Sequence, residues 1–167
     1  PPPFVTTVLV TMPDTVDDAV ELAETVSPDA IQIHADFSPK QVTELGDRTN
    51  CDVLVAVDIA DTDRAHELEG SADALLVDSL TDGGAGGTGE THDWEATDDL
   101  ATELSTPVVL AGGLTPDNVA DAIDTARPMG VDVSSGVEIP GAEGMKDDEA
   151  IRAFVENAGR KLYAEES

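Results

Sequence analysis

The segments PVVLAGGLTPDNV, residues 107–119, and GVDVSSGVE, residues 130–138, decide the fold of this chain. Their apolar runs, 108–111 and 131–133, each end in small residues, and the first leads into a helix start at Thr115-Pro116. The order is strand, glycine turn, helix, strand, small-residue turn. Gly112, Gly113, Ser134, Ser135 and Gly136 let main-chain N–H groups approach a ligand closely, and the serines add hydroxyl donors. Such a pair of loops suits a phosphate. Glycines after strands also serve as plain tight turns, and on spacing alone both readings stand.

The same cycle recurs upstream. FVTTVLVT, residues 4–11, is β-branched and apolar. A helix follows, with Asp14 or Thr15 as cap, Asp17 and Asp18 at the positive end of its dipole, and Val16, Ala19, Val20, Ala23 and Val26 on one face. Residues 30–34 (AIQIH) form the next strand, and Ser38-Pro39 opens a helix with Val42 and Leu45 inward. Further strands are expected at 53–59, 74–77 and then 108–111 and 131–133, with helices at 61–69, 98–104, 116–126 and 147–163. Val119, Ala122 and Ile123 mark the apolar face of the third of these helices; Ile151, Phe154, Val155, Ala158 and Leu162 mark that of the last.

Continuously apolar strands are buried on both faces, and strict alternation with helices implies a parallel sheet with right-handed crossovers. A doubly wound open sheet and a (β/α)₈ barrel short of two units both fit. In barrels the functional loops follow the carboxyl ends of the strands, and phosphate commonly sits on the loops after the last two. Those loops are the opening segments here, which favours an α/β chain of the TIM (β/α)₈-barrel class with six βα units present, expected to be one domain over residues 1–167.

Composition narrows the function. Thirty-six Asp plus Glu against eight Lys plus Arg give a net charge of −28, which excludes a nucleic-acid binder that relies on phosphate contacts. The acids are interleaved with apolar positions at helical spacing, as on a solvated surface adapted to high salt, where counterions screen self-repulsion. A single cysteine, Cys51, excludes an internal disulfide, and three scattered histidines, His34, His66 and His92, do not form a metal site. No window approaches the ~18 consecutive apolar residues of a membrane span, so no membrane partner and a cytoplasmic location are expected.

Five segments in order carry a resemblance: IQIH (31–34), LLVD (75–78), GGTGETHDW (86–94), AGGLTPDNV (111–119) and GVDVSSGVE (130–138). Together they resemble the signature of the phosphoribosylanthranilate isomerases, barrel enzymes of tryptophan biosynthesis, and GMKD (144–147) resembles that family's G-x-K-D. The resemblance implies an Amadori rearrangement of N-(5-phosphoribosyl)anthranilate to 1-(2-carboxyphenylamino)-1-deoxyribulose 5-phosphate, which needs one acid, one base and no cofactor. It implies Asp78 as general acid, a role that requires a carboxyl kept protonated by its site; as a plain residue Asp78 would only cap the following loop. It further implies Gly112, Gly113, Ser134, Ser135 and Gly136 as the phosphate cradle, and His34, Asp132 and the loop residues Gly87, Thr88 and Gly89 as substrate contacts. His92 in place of phenylalanine and Ala35 in place of glycine depart from the pattern.

Family members open with a strand carrying K-I-C-G, whose cysteine is the general base, then a second strand with a basic substrate-binding loop. Neither occurs in these residues, and the first strand here matches the family's third. Two βα units, each of roughly 30 residues or more, are therefore expected before Pro1 in a complete enzyme. Cys51, at the start of a strand and so at the wrong end of the sheet, reads as a small buried hydrophobe. The isolated chain is expected to be inactive for lack of the first-strand cysteine, and to associate with itself through open sheet edges. Two other readings remain: a different sugar-phosphate barrel enzyme, and a catalytically dead phosphate-binding or interaction subunit.

Overall fold

The computed structural model describes residues 4–78 and 93–162, apart from the side chains of 160–162. The expected site residues Gly87, Thr88 and Gly89, together with His92, lie outside the described residues. Six strands, β1 (Val8–Thr11), β2 (Ala30–Ile33), β3 (Asp52–Asp58), β4 (Ala74–Asp78), β5 (Val108–Leu110) and β6 (Gly130–Val131), alternate with helices α1 (Val16–Val26), α2 (Pro39–Thr49), α3 (Thr62–Glu67), α4 (Trp94–Glu103), α5 (Val119–Ala126) and α6 (Asp148–Leu162). The strands pair in chain order, and every pair is parallel. A doubly wound sheet would reverse its strand order at a switch point; this one does not.

The two faces of the sheet have different jobs. Side chains alternate along a strand, and Ile31, Ile33, Val53, Val55, Val57, Leu75 and Val77 all point to one face, where they are 0–2% exposed. They pack with Ala19, Val20, Val42, Leu45, Ala65 and Leu68 of the helical layer. The intervening positions Val10, Gln32, Leu76 and Asp78 line a cavity on the opposite, concave face. A second core cluster, with Leu110, Leu114, Val119, Ala122, Ala126, Val137 and Phe154, holds α5 and α6 on the last two strands.

Local chemistry sets the element ends. Thr15 caps α1 by accepting from the Asp18 N–H at 3.2 Å, and Ser38 opens α2 with its N–H donating to Gln41 Oε1 at 3.0 Å. Several boundaries differ from expectation. β1 begins at Val8, because the Thr7 N–H donates to the Asp29 carboxylate at 2.7 Å and not to a strand partner. α4 starts at Trp94 and not at 98, since Asp93 Oδ1 accepts from Glu95 N–H at 3.0 Å and nucleates the first turn earlier. α5 starts at Val119, after a turn that the Asn118 side chain occupies. β6 pairs only over Gly130–Val131 before the chain leaves for the loop.

Three apolar positions expected inward are exposed: Val26 by 54%, Ile151 by 38% and Val155 by 63%. Val26 sits at the last turn of α1, where Ser27 takes a left-handed conformation and ends the helix. Ile151 and Val155 lie on α6, beside the end of the sheet where, among the described residues, β6 has β5 as its strand neighbour and nothing beyond. At the other end, Val8 and Val10 of β1 are 45% and 58% exposed for the same reason. No helix among the described residues is long and apolar enough to cross a membrane.

Candidate functional site

A cavity of about 390 Å³ lies at the carboxyl ends of the strands. Val10 and Met12 of the β1 end and residues 132–136 beyond β6 line it together, so the sheet curls far enough to bring its first and last strands to one pocket. Gln32, His34, Leu76, Asp78, Gly112, Gly113 and Leu114 complete the lining. Of the site residues expected from sequence, all that are described converge there: Asp78, His34, Asp132, Gly112, Gly113, Ser134, Ser135 and Gly136.

Asp78 is the last residue of β4 and only 7% exposed. The register pairs it with Asp58 of β3, and its carbonyl accepts from the Ile59 N–H at 3.0 Å, so the strand holds it to its tip. His34 follows β2, and Gln32, two residues earlier on the same face, places its amide nitrogen 2.9 Å from His34 Nε2. Asp132 follows β6, its N–H still donating to the Leu110 carbonyl at 2.8 Å. Asp132 is an exposed residue, but its place in the cavity lining partly desolvates its carboxyl. That desolvation raises its pKa, and a positive charge on His34 or Lys146 offsets part of the rise.

The loops after β5 and β6 form one main-chain unit. Gly112 and Gly113 have φ of +85° and +62°, a region costly for side-chain-bearing residues. Asn118 locks the turn: its Oδ1 accepts from the Thr115 N–H at 2.8 Å and its Nδ2 donates to the Gly113 carbonyl at 3.0 Å. Gly136 closes on this turn so tightly that a Cβ there would lie 1.8 Å from the Leu114 carbonyl oxygen. Glycine at 136 is therefore required by close approach of two backbones.

Sequence reasoning missed Lys146. Its Nζ donates to the Ser134 carbonyl at 2.9 Å, to Ser134 Oγ at 3.3 Å and to Glu138 Oε1 at 2.7 Å. An antiparallel bridge between Glu138 and Lys146 folds the chain back so that the ammonium meets the loop. The Lys146 hydrogen bond, seconded by the Gly144 backbone, holds the Glu138 carboxyl below its ordinary pKa. The GMKD segment was visible in the sequence, but this fold-back was not. Gln32 was also missed, although its parity with His34 on a strand puts both on one face.

Cys51 lies just before β3, at the amino end of the sheet and away from the cavity. It is half-buried rather than buried, and its thiol donates to the Pro28 carbonyl at 3.4 Å. His66 is on the surface, 3.3 Å from a Glu103 carboxylate oxygen. Among the described residues no group of three or more His, Cys, Asp or Glu could hold a metal ion.

A six-stranded parallel sheet in barrel order, with helices on its outer face and a cavity at the carboxyl ends of its strands, is a partial (β/α)₈ barrel of the enzyme type. Residues 2–157 match the family described as N-(5'phosphoribosyl)anthranilate (PRA) isomerase. The N-(5'-phosphoribosyl)anthranilate isomerase of Halorubrum lacusprofundi is 55% identical over 161 residues, covering 96% of this chain and 74% of that relative. The crystal structure of the Thermotoga maritima phosphoribosyl anthranilate isomerase superposes with a TM-score of 0.80 at 31% identity, over 96% of this chain and 76% of that one. A phosphoribosyl anthranilate isomerase solved in complex with reduced 1-(o-carboxyphenylamino)-1-deoxyribulose 5-phosphate superposes at 0.78 and 31% identity, over 96% and 74% of the two chains. The chain belongs to the phosphoribosylanthranilate isomerase family, isomerases of tryptophan biosynthesis, and its acidic surface fits the halophilic archaea among its relatives.

Proposed function

We propose that the cavity binds N-(5'-phosphoribosyl)anthranilate, with the phosphate on the loops of Gly112, Gly113, Ser134, Ser135 and Gly136 and with Asp78 as general acid. The observation that carries this reading is the convergence of that main-chain cradle and the strand-tip carboxyl of Asp78 on one cavity. Asp78 gives its proton to the furanose ring oxygen, and the C1–O bond breaks to leave an iminium between C1 and the anthranilate nitrogen. A base then removes the proton from C2, the electron pair moves to the iminium, and the resulting enolamine tautomerises to the ketone. His34 and Asp132 contact the sugar. Cys51 is not that base, because it lies at the opposite end of the sheet from the cavity.

The test compares the 167-residue chain with the same chain extended by the two N-terminal βα units of a relative, each with and without Asp78→Asn. Turnover is expected only in the extended chain, and Asp78→Asn should lower its kcat by roughly 10²–10⁴ while leaving affinity for a reduced product analogue within a few-fold. Full activity in the Asn variant would remove Asp78 as the acid. Turnover by the unextended chain would place the base within these residues.

Self-association is part of the same reading. The exposed β1 residues Val8 and Val10 and, at the other end, Met129 and Val155, which are 64% and 63% exposed, are apolar surfaces beside strand edges that are unpaired among the described residues. The 167-residue chain should sediment as dimers or larger species in high salt, and the extended chain should not use these edges. A sharp monomer peak for the shorter chain would overturn this.

A further inference from the structure

Gln32 is the buried polar residue of a strand that is otherwise apolar. It is 7% exposed within Ala30–Ile33, a strand buried at every position, and it lines the cavity beside Asp78 and Asp132. A buried amide is retained at a cost unless its hydrogen bonds are made. Its Nε2 stands 2.9 Å from His34 Nε2.

An amide nitrogen only donates, so the ring nitrogen facing it must accept. A ring nitrogen accepts only when it carries no proton. The pair therefore requires a neutral imidazole with its proton on Nδ1, the tautomer less favoured by an unconstrained histidine. Which ring nitrogen carries the proton is set by the bond the other one makes.

We infer that Gln32 is a positioning residue that fixes His34 as the neutral Nδ1–H tautomer, so that the imidazole offers the cavity a hydrogen-bond donor and not a base. This deepens the substrate-contact reading of His34 given above. It assigns the imidazole to holding an oxygen of the sugar and leaves proton abstraction to another group. Gln32 thereby sets the direction of one hydrogen bond in the cavity.

Long-range ¹H–¹⁵N correlation spectra of the imidazole rings test this without any turnover, so the outcome is separable from that of the activity assay. The chain has three histidines, and His34→Gln identifies the His34 signals by their loss. In the wild-type chain at neutral pH and high salt, His34 Nε2 is expected at the far-downfield position of an unprotonated ring nitrogen, with Nδ1 at the protonated position. Gln32→Met should invert the pattern towards Nε2–H, and Gln32→Glu, whose carboxylate accepts, should invert it more completely. A wild-type spectrum showing Nε2–H or an imidazolium overturns the inference by itself, whether or not the variants fold. An unchanged tautomer in folded Gln32→Met does so too.

Discussion

The cavity is built from two kinds of material. One part consists of side chains presented by strand ends: Gln32, His34 and Asp78 from the centre of the sheet, and Asp132 facing them from β6. The other is main chain, the interlocked turns of residues 112–118 and 134–136. The first part is positioned by strand register, which pairs Asp58 with Asp78 and buries every position of β2 and β4. The second is positioned by glycine stereochemistry and by two side-chain ties, Asn118 to Gly113 and Lys146 to Ser134. A side chain on a rigid strand can be replaced without moving the backbone around it, whereas backbone held against backbone has no atom to spare. Chemistry should therefore be separable from folding in the first part and inseparable from it in the second.

Gly136→Ala strains the second part hardest. Its new methyl would sit 1.8 Å from Leu114 O and 2.9 Å from Leu114 C, and neither is the end of a flexible side chain. The two loops must part, with an expected loss of roughly 1–3 kcal/mol or more, and inorganic phosphate affinity should fall with it. Gly141→Ala is the matched control: φ is +81° there but nothing lies within 4 Å, so only backbone strain is added, about 1 kcal/mol. Thermal melts and phosphate titration of both variants in high salt measure the difference. If Gly136→Ala kept the stability of the parent, the interlocked-backbone description would be wrong.

Legibility in the sequence follows the same division. The alternation of buried runs and helices, the barrel order and the identity of most cavity residues could be read because strands and glycine turns obey local rules: continuous apolar burial in β2 and β4, period-two burial in β3, left-handed glycines at 112 and 113. What could not be read depends on long-range contact. Lys146 reaches Ser134 only because residues 138–146 fold back on themselves. Asp93 takes over the start of α4 through its own side chain, a competition that apolar periodicity does not register. Val155 and Ile151 carry the apolar spacing of an inward face, yet their exposure is decided by the place of α6 at the end of the sheet. Spacing predicts which face is apolar; it does not say whether a neighbour stands there.

Asp132→Asn probes the first part with a smaller effect of opposite sign. Desolvation raises the Asp132 carboxyl above its ordinary pKa in the folded chain. Between the ordinary and the raised value the folded state binds more protons than the unfolded one, so this group makes stability fall as pH rises through that window. Above the window the carboxylate is charged in both states, and folding bears the full desolvation cost. Below it the group is neutral in both states and the cost is gone. Asparagine has no such dependence, so Asp132→Asn should melt higher than the parent at neutral pH, with the gain shrinking as pH falls into the ordinary carboxylate range. Asp29, Asp98, Glu69 and Glu138, whose pKa values hydrogen bonds lower, contribute the opposite slope, stability lost in acid, but both proteins share it and the difference between them removes it. A variant that melts lower than the parent at neutral pH would mean that Asp132 ties the cavity together as the backbone part does, and the two materials would no longer divide chemistry from folding.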